Sequence, residues 1–136
     1  MKTDTVDTSG FDLIGDIHGH AAPLQTLLKK LGYEIRNGYH CHPSRRVIFV
    51  GDLIDRGPAV REVLKIAKGM VDGGAALAIM GNHEYNAICY HTLGTDGEWM
   101  RPHSENNQRQ HRATLAAFES HRSDWDEYLT WFKELP

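Results

Sequence analysis

Apolar residues recur along this chain in two rhythms. Short apolar blocks stand at residues 11–15 (FDLIG), 46–50 (RVIFV) and 75–80 (AALAIM), each followed by or ending on a glycine, and they read as three short buried strands. Between them the period becomes helical. Leu24, Leu27, Leu28 and Leu31 recur at i, i+3, i+4 and i+7 over residues 23–31, with Pro23 suited to a first turn and Gly32 to the stop. Val60, Val63, Leu64 and Ala67 repeat the spacing over residues 59–68. Asn37-Gly38 between β-favouring flanks predicts a small hairpin. Strand, helix, strand, helix, strand predicts an α/β fold with a parallel sheet. After a glycine-rich loop at 91–103, the spacing predicts a polar amphipathic helix capped by Ser104. A last helix capped by Ser123 follows, with Trp125, Tyr128, Leu129 and Phe132 packing from one face.

Composition narrows the class. A chain of 136 residues, 40% hydrophobic, is the length of one domain with a real core. Residues 1–10 are polar and read as a disordered tail before a domain over 11–136. The formal charge of -3 gives no case for a nucleic-acid backbone or a membrane surface as main partner, yet leaves room for a small phosphorylated substrate. Cys41 and Cys89 lie in unrelated segments and read as reduced thiols of a cytoplasmic protein. No run reaches transmembrane length.

Each strand is followed by a charged, glycine-flanked loop: GDIHGH, GDLIDRGP and GNHE. In an open α/β sheet ligands bind beyond the carboxyl ends of the strands, so the three loops should converge. They would assemble Asp16, His18, Asp52, Asp55, Asn82, His83 and Glu84, oxygen and imidazole donors without a thiolate. Such a set suits Mn²⁺, Fe or Zn²⁺. Two ions about 3.5–4 Å apart can activate a water and hold a phosphate. Taken singly, Asp16 reads as a turn residue, His18 as a packed surface histidine and the Asp55–Arg56 pair as a surface ion pair. Three loops in register outweigh those readings. Glu84 reads as a first-turn helix residue favoured by the helix dipole. His20, His40, His42 and His91 show no ligation pattern. Arg101, His103, Arg109, His111, Arg112, His121 and Arg122 read as a solvated helix face in preference to a substrate entrance.

In this order and spacing the three loops resemble the signature motifs of the calcineurin-like metallophosphoesterases. The forms GDLIDRG and GNHE resemble the phosphoprotein phosphatase branch, which includes Ser/Thr protein phosphatases and bacterial dinucleoside tetraphosphatases. The resemblance covers residues 11–90, and the later stretches look most like bacterial members. It implies a βαβαβ half of a metallophosphoesterase β-sandwich flanked by helices and followed by a helical segment. It further implies that Asp16 and His18 bind a first metal, that Asp52 bridges two, and that Asn82 binds the second and touches phosphate. His83 would be the general acid, oriented by Asp55, and Arg56 would contact the phosphate. The implied activity is metal-dependent phosphoester hydrolysis by a metal-bridging hydroxide. Two divalent ions are implied, Mn²⁺ foremost in vitro and Fe, Zn²⁺ or Ni²⁺ as options. The substrate would be a phosphorylated protein, a dinucleoside polyphosphate or a small phosphomonoester.

The family pattern also needs two later histidines for the second metal and a second arginine, and nothing after GNHE matches them. The favoured expectation is a C-terminally incomplete hydrolase with an exposed apolar sheet face prone to self-association. The alternative is a non-catalytic metal- or phosphate-binding module.

Overall fold

The computed structural model describes residues 10–136. The tail expected over residues 1–10 lies outside the described residues except for Gly10, which already belongs to the first strand. In chain order the first half contains β1 (Gly10–Ile14), α1 (Ala21–Lys30), β2 (Glu34–Arg36), β3 (Tyr39–Cys41) and β4 (Arg45–Phe49). The second half contains α2 (Val60–Asp72), β5 (Ala76–Ala78), α3 (Asn82–Tyr90), α4 (Glu105–Ala117) and α5 (Arg122–Glu134).

β4 lies between β1 and β5 and is parallel to both. Ile14 sits opposite Phe49, and Phe49 opposite Ala78, so the three strands end level and their loops start from one line. That register positions the site. Val47 and Phe49 are fully buried, as are Ala76 and Ala78 nearly so, on the face where α2 packs against β5 and α1. The other face is open: Leu13 is 70% exposed, Phe11 48%, and Leu77 and Ile79 share that exposure. The expected apolar face is therefore present, and the strands are buried on one side only.

β2 and β3 form the expected hairpin. Arg36 pairs with Tyr39 across a two-residue turn in which Asn37 and Gly38 both have positive φ (56° and 87°), the geometry that matches strand twist. α2 runs to Asp72, beyond the expected end at residue 68, because buried Met70 and half-buried Val71 continue its apolar face through Gly69. Ser104 caps α4 as expected, its Oγ accepting the Asn107 N–H at 3.1 Å. Ser123 is not a cap. The Phe118–His121 turn puts the cap of α5 at His121, two residues earlier, and the first helical bond runs from the Trp125 N–H to the His121 carbonyl at 3.0 Å. Trp125, Leu129, Trp131 and Phe132 are buried there, with α5 against α3 and α4 against α2.

Candidate active site

Strained backbone marks the place. Among the described residues six non-glycine residues have positive φ, and five of them, Asp16 (51°), His18 (42°), Asp52 (56°), Asp55 (71°) and Arg56 (67°), lie in the loops after β1 and β4. Each such residue costs about 1–3 kcal/mol and persists only where the surroundings over-determine it. Here the surroundings are the other loops. The N–H groups of His18 and Gly19 donate to the carbonyls of Asp52 and Leu53 at 3.0 and 2.9 Å, and those of Gly57 and Ala59 return to His18 and Gly19 at 2.8 and 2.9 Å. Gly57 is required by this approach, since a Cβ there would stand 2.3 Å from the His18 carbonyl oxygen.

Glu84 ties the third loop to the second. Fully buried, it accepts the N–H of Asp52 at 2.6 Å and of Gly81 at 3.0 Å on Oε1, and the N–H of Leu53 at 3.0 Å on Oε2. It does lie in the first turn of α3, but reading it as a helix-dipole residue misses the two amides it holds from a different loop. Burial pushes its carboxyl above the ordinary value despite the three donors. Asp52 completes the tie, with Oδ1 accepting the His83 N–H at 3.1 Å.

The donor atoms of Asp16, His18 and Asp52 converge within 4.8 Å of one another, the one such group of His, Cys, Asp or Glu side chains among the described residues. His18 is buried, and its Nδ1–H donates to the Ile54 carbonyl at 3.0 Å. A carbonyl only accepts, so this bond fixes the proton on Nδ1 and leaves Nε2 to face Asp16 Oδ1 at 3.6 Å. Two carboxylates and an imidazole nitrogen aimed at one point, with the histidine oriented from behind, fit a divalent cation.

Beside this group His83 stands edge-on to His18, ring centroids 4.6 Å apart. Its Nδ1–H donates to Asp55 Oδ2 at 2.6 Å. That bond raises the His83 pKa above its ordinary value, outweighing burial. Asp55 is not a surface partner of Arg56; it is 4% exposed. Burial alone would push its carboxyl up, but hydrogen bonds from His111 Nδ1 at 2.7 Å, from His83 and from Thr114 Oγ1 at 2.7 Å hold it well below the usual carboxylate range. The Thr114 hydroxyl also accepts the Asp55 N–H at 3.0 Å. Behind them His91 and His111 meet Nε2 to Nε2 at 3.1 Å, and burial, then the charge of His111, lowers the His91 pKa to about 4.

His111 and Thr114 escape a motif search because they lie in no loop after a strand. Their signal is periodic: with Phe118 they occupy i, i+3 and i+7 of α4, so the buried face of that helix carries two polar groups. Such groups need partners, and Asp55 is the partner.

α3 and α4 wall a cleft of about 550 Å³ whose lining includes Asp55, Arg56, His83, Arg101, Arg109 and Arg112. Three of the arginines read as a solvated face therefore border the His83–Asp55 pair, whereas Arg122 points elsewhere, 3.6 Å from Asp126. Arg56 is exposed at the cleft. Asn82 opens α3 with its side chain exposed, in the turn where the next N–H binds Asp52.

A cation cradle and an oriented histidine thus stand together at the carboxyl edge of a parallel sheet. Residues 11–136 match the calcineurin-like phosphoesterase family, and the chain belongs to it. Among curated proteins it is similar to the bis(5'-nucleosyl)-tetraphosphatase PrpE of Halalkalibacterium halodurans, 47% identical over 74 residues, and to that of Bacillus subtilis, 45% identical over 74 residues. Each match covers 54% of this chain and 30% of the relative, so the likeness spans under a third of the relatives' length. Among solved structures, a metallophosphoesterase from Sphaerobacter thermophilus aligns with TM-score 0.50 at 20% identity, over 93% of this chain and 40% of that one. A variant of a cold-active protein tyrosine phosphatase aligns with TM-score 0.51 at 23% identity, over 88% and 36%. At these identities the two structures speak for the fold.

Proposed function

We propose that this chain carries the first metal site, the general acid and a phosphate contact of a metal-dependent phosphoester hydrolase acting on a dinucleoside polyphosphate. The observation that carries the reading is the convergence of Asp16, His18 and Asp52 beside a histidine whose far nitrogen is anchored on a buried carboxylate. Asp16, His18 and Asp52 would hold a divalent cation, and Asp52 and Asn82 would be ligands of a second; bound there, such ions would supply Lewis-acid activation of water and of the phosphoryl group. His83 holds a proton for the leaving-group oxygen on Nε2, since Nδ1 is committed to Asp55. Arg56, exposed at the mouth of the cleft, binds phosphate oxygens with its planar fork. The PrpE relatives favour the dinucleoside substrate over a phosphorylated protein. Mn²⁺ as the ion rests on the oxygen-rich donor set. Cytoplasmic residence rests on two free thiols, and self-association on the open sheet face.

The test is Mn²⁺-dependent hydrolysis of p-nitrophenyl phosphate, a phosphopeptide and diadenosine tetraphosphate by the chain and its Asp52→Asn variant. Turnover should require the metal, fall by at least about 10²-fold in the variant, and be fastest on the tetraphosphate. Equal rates in the two proteins would overturn the reading of the site, and a faster phosphopeptide would overturn that of the substrate.

A further inference from the structure

The cleft is more basic than one phosphate contact needs. Besides Arg56 it presents Arg101, Arg109 and Arg112, and its one acidic residue, Asp55, is buried and committed to His83, His111 and Thr114. None of the four guanidinium groups makes an ion pair among the described residues. The chain as a whole carries a formal charge of -3, so this wall is a local reversal of sign.

Two of the groups are held in place without being neutralised. Arg101 Nη2 donates to Gln110 Oε1 at 3.2 Å and Arg109 Nη2 to Asn106 Oδ1 at 2.5 Å. Amide partners fix the direction of a guanidinium and leave its charge undiminished, which a carboxylate partner would not. Arg109 and Arg112 are also three residues apart on α4, hence neighbours on one helix face. A volume of about 550 Å³ lies in the range of about 300–1,000 Å³ that holds a whole small molecule.

We propose that Arg101, Arg109 and Arg112 form a second anion subsite, which binds the non-reacting phosphates of a substrate carrying an oligophosphate chain while Arg56 and His83 face the reacting one. The subsite makes the chain a reader of linked phosphates in preference to phosphomonoesters. It deepens the hydrolase reading, on which it rests for the identity of the reacting end.

The test is calorimetric titration of the EDTA-treated chain with inorganic tripolyphosphate and with orthophosphate, which removes turnover and metal chelation from the readout. Wild-type chain should bind tripolyphosphate at least about tenfold more tightly than orthophosphate, and Arg109→Ala/Arg112→Ala should erase most of that preference while keeping its helical circular dichroism, because alanine is the best helix former. Arg36→Ala/Arg122→Ala removes the same charge away from the cleft and should keep the preference. Three results would overturn the subsite: no preference in the wild type, a preference surviving in the cleft variant, or an equal loss in both variants, which would show non-specific charge attraction. A lost preference with intact turnover would leave the hydrolase reading standing with a monoester substrate. A retained preference without turnover would leave the anion subsite standing alone.

Discussion

Asp55→Asn is expected to cost about 3–5 kcal/mol of stability, the usual cost of breaking a buried charge-paired network, and to lower metal-dependent turnover by about 10²–10⁴-fold. The carboxylate serves three donors, His83 Nδ1, His111 Nδ1 and Thr114 Oγ1, all within 2.7 Å. An asparagine has one oxygen and must set its amide against at least one of them. The loss should depend on pH in both directions. The carboxyl of Asp55 is depressed, so its contribution is complete above the ordinary value of about 4 and fades as pH falls through the lowered one. The imidazole of His83 is raised, so its contribution is complete below about 6.5 and fades as pH rises through the raised value. Urea melts should therefore show the widest gap between wild type and variant at about pH 4–6.5. A gap that does not change with pH would mean that the network contributes packing and no charge pairing.

Glu84→Ala should be nearly as damaging for a different reason. The side chain is fully buried and is the common acceptor of three backbone N–H groups from two loops. Orphaned buried donors cost about 1–3 kcal/mol each, and partial rehydration through the new cavity brings the expected loss to about 3–5 kcal/mol. Glu84→Gln does not restore the site, since its amide nitrogen would face an N–H. The damage reaches the cation cradle because the Asp52 amide is one of the three, and removing such a supporting group lowers metal affinity by about 10–100-fold. A urea melt and a Mn²⁺ titration of the same variant check both effects. Stability lost with metal affinity intact would show that Glu84 supports the fold and not the site.

Much of the fold is legible in the chain because its signals are local. Each strand is a short apolar block with a glycine beyond it, and the helical spacing between strands has no competing period. The ends of elements were harder. α2 outruns its expected stop because buried Met70 outweighs the weak helix propensity of Gly69, and α5 takes its start from the Phe118–His121 turn, leaving Ser123 inside the helix. The convergence of the three loops follows from a general property of parallel sheets, made concrete by the level register of Ile14, Phe49 and Ala78. What lay beyond reach is non-local. Glu84 looks like any acidic residue in a first helical turn until its oxygens are seen on the amides of Asp52 and Leu53. His111 and Thr114 are 56 and 59 residues from Asp55, and only the packing of α4 against the loop joins them. The arginines of the cleft look like a solvated face because half of that reading is right: they are accessible, and only the packing of α4 shows that they border the hydrogen-bonded His83 and Asp55.

If Asp16, His18 and Asp52 form a divalent-cation site, titration of the metal-free chain with Mn²⁺, with free ion read by electron paramagnetic resonance, will show it. The wild-type chain should take up the ion, while His18→Ala and Asp52→Asn, each folded by circular dichroism, should weaken uptake by at least about tenfold. Uptake unchanged in both variants would contradict the account, because the ion would then be held by other groups.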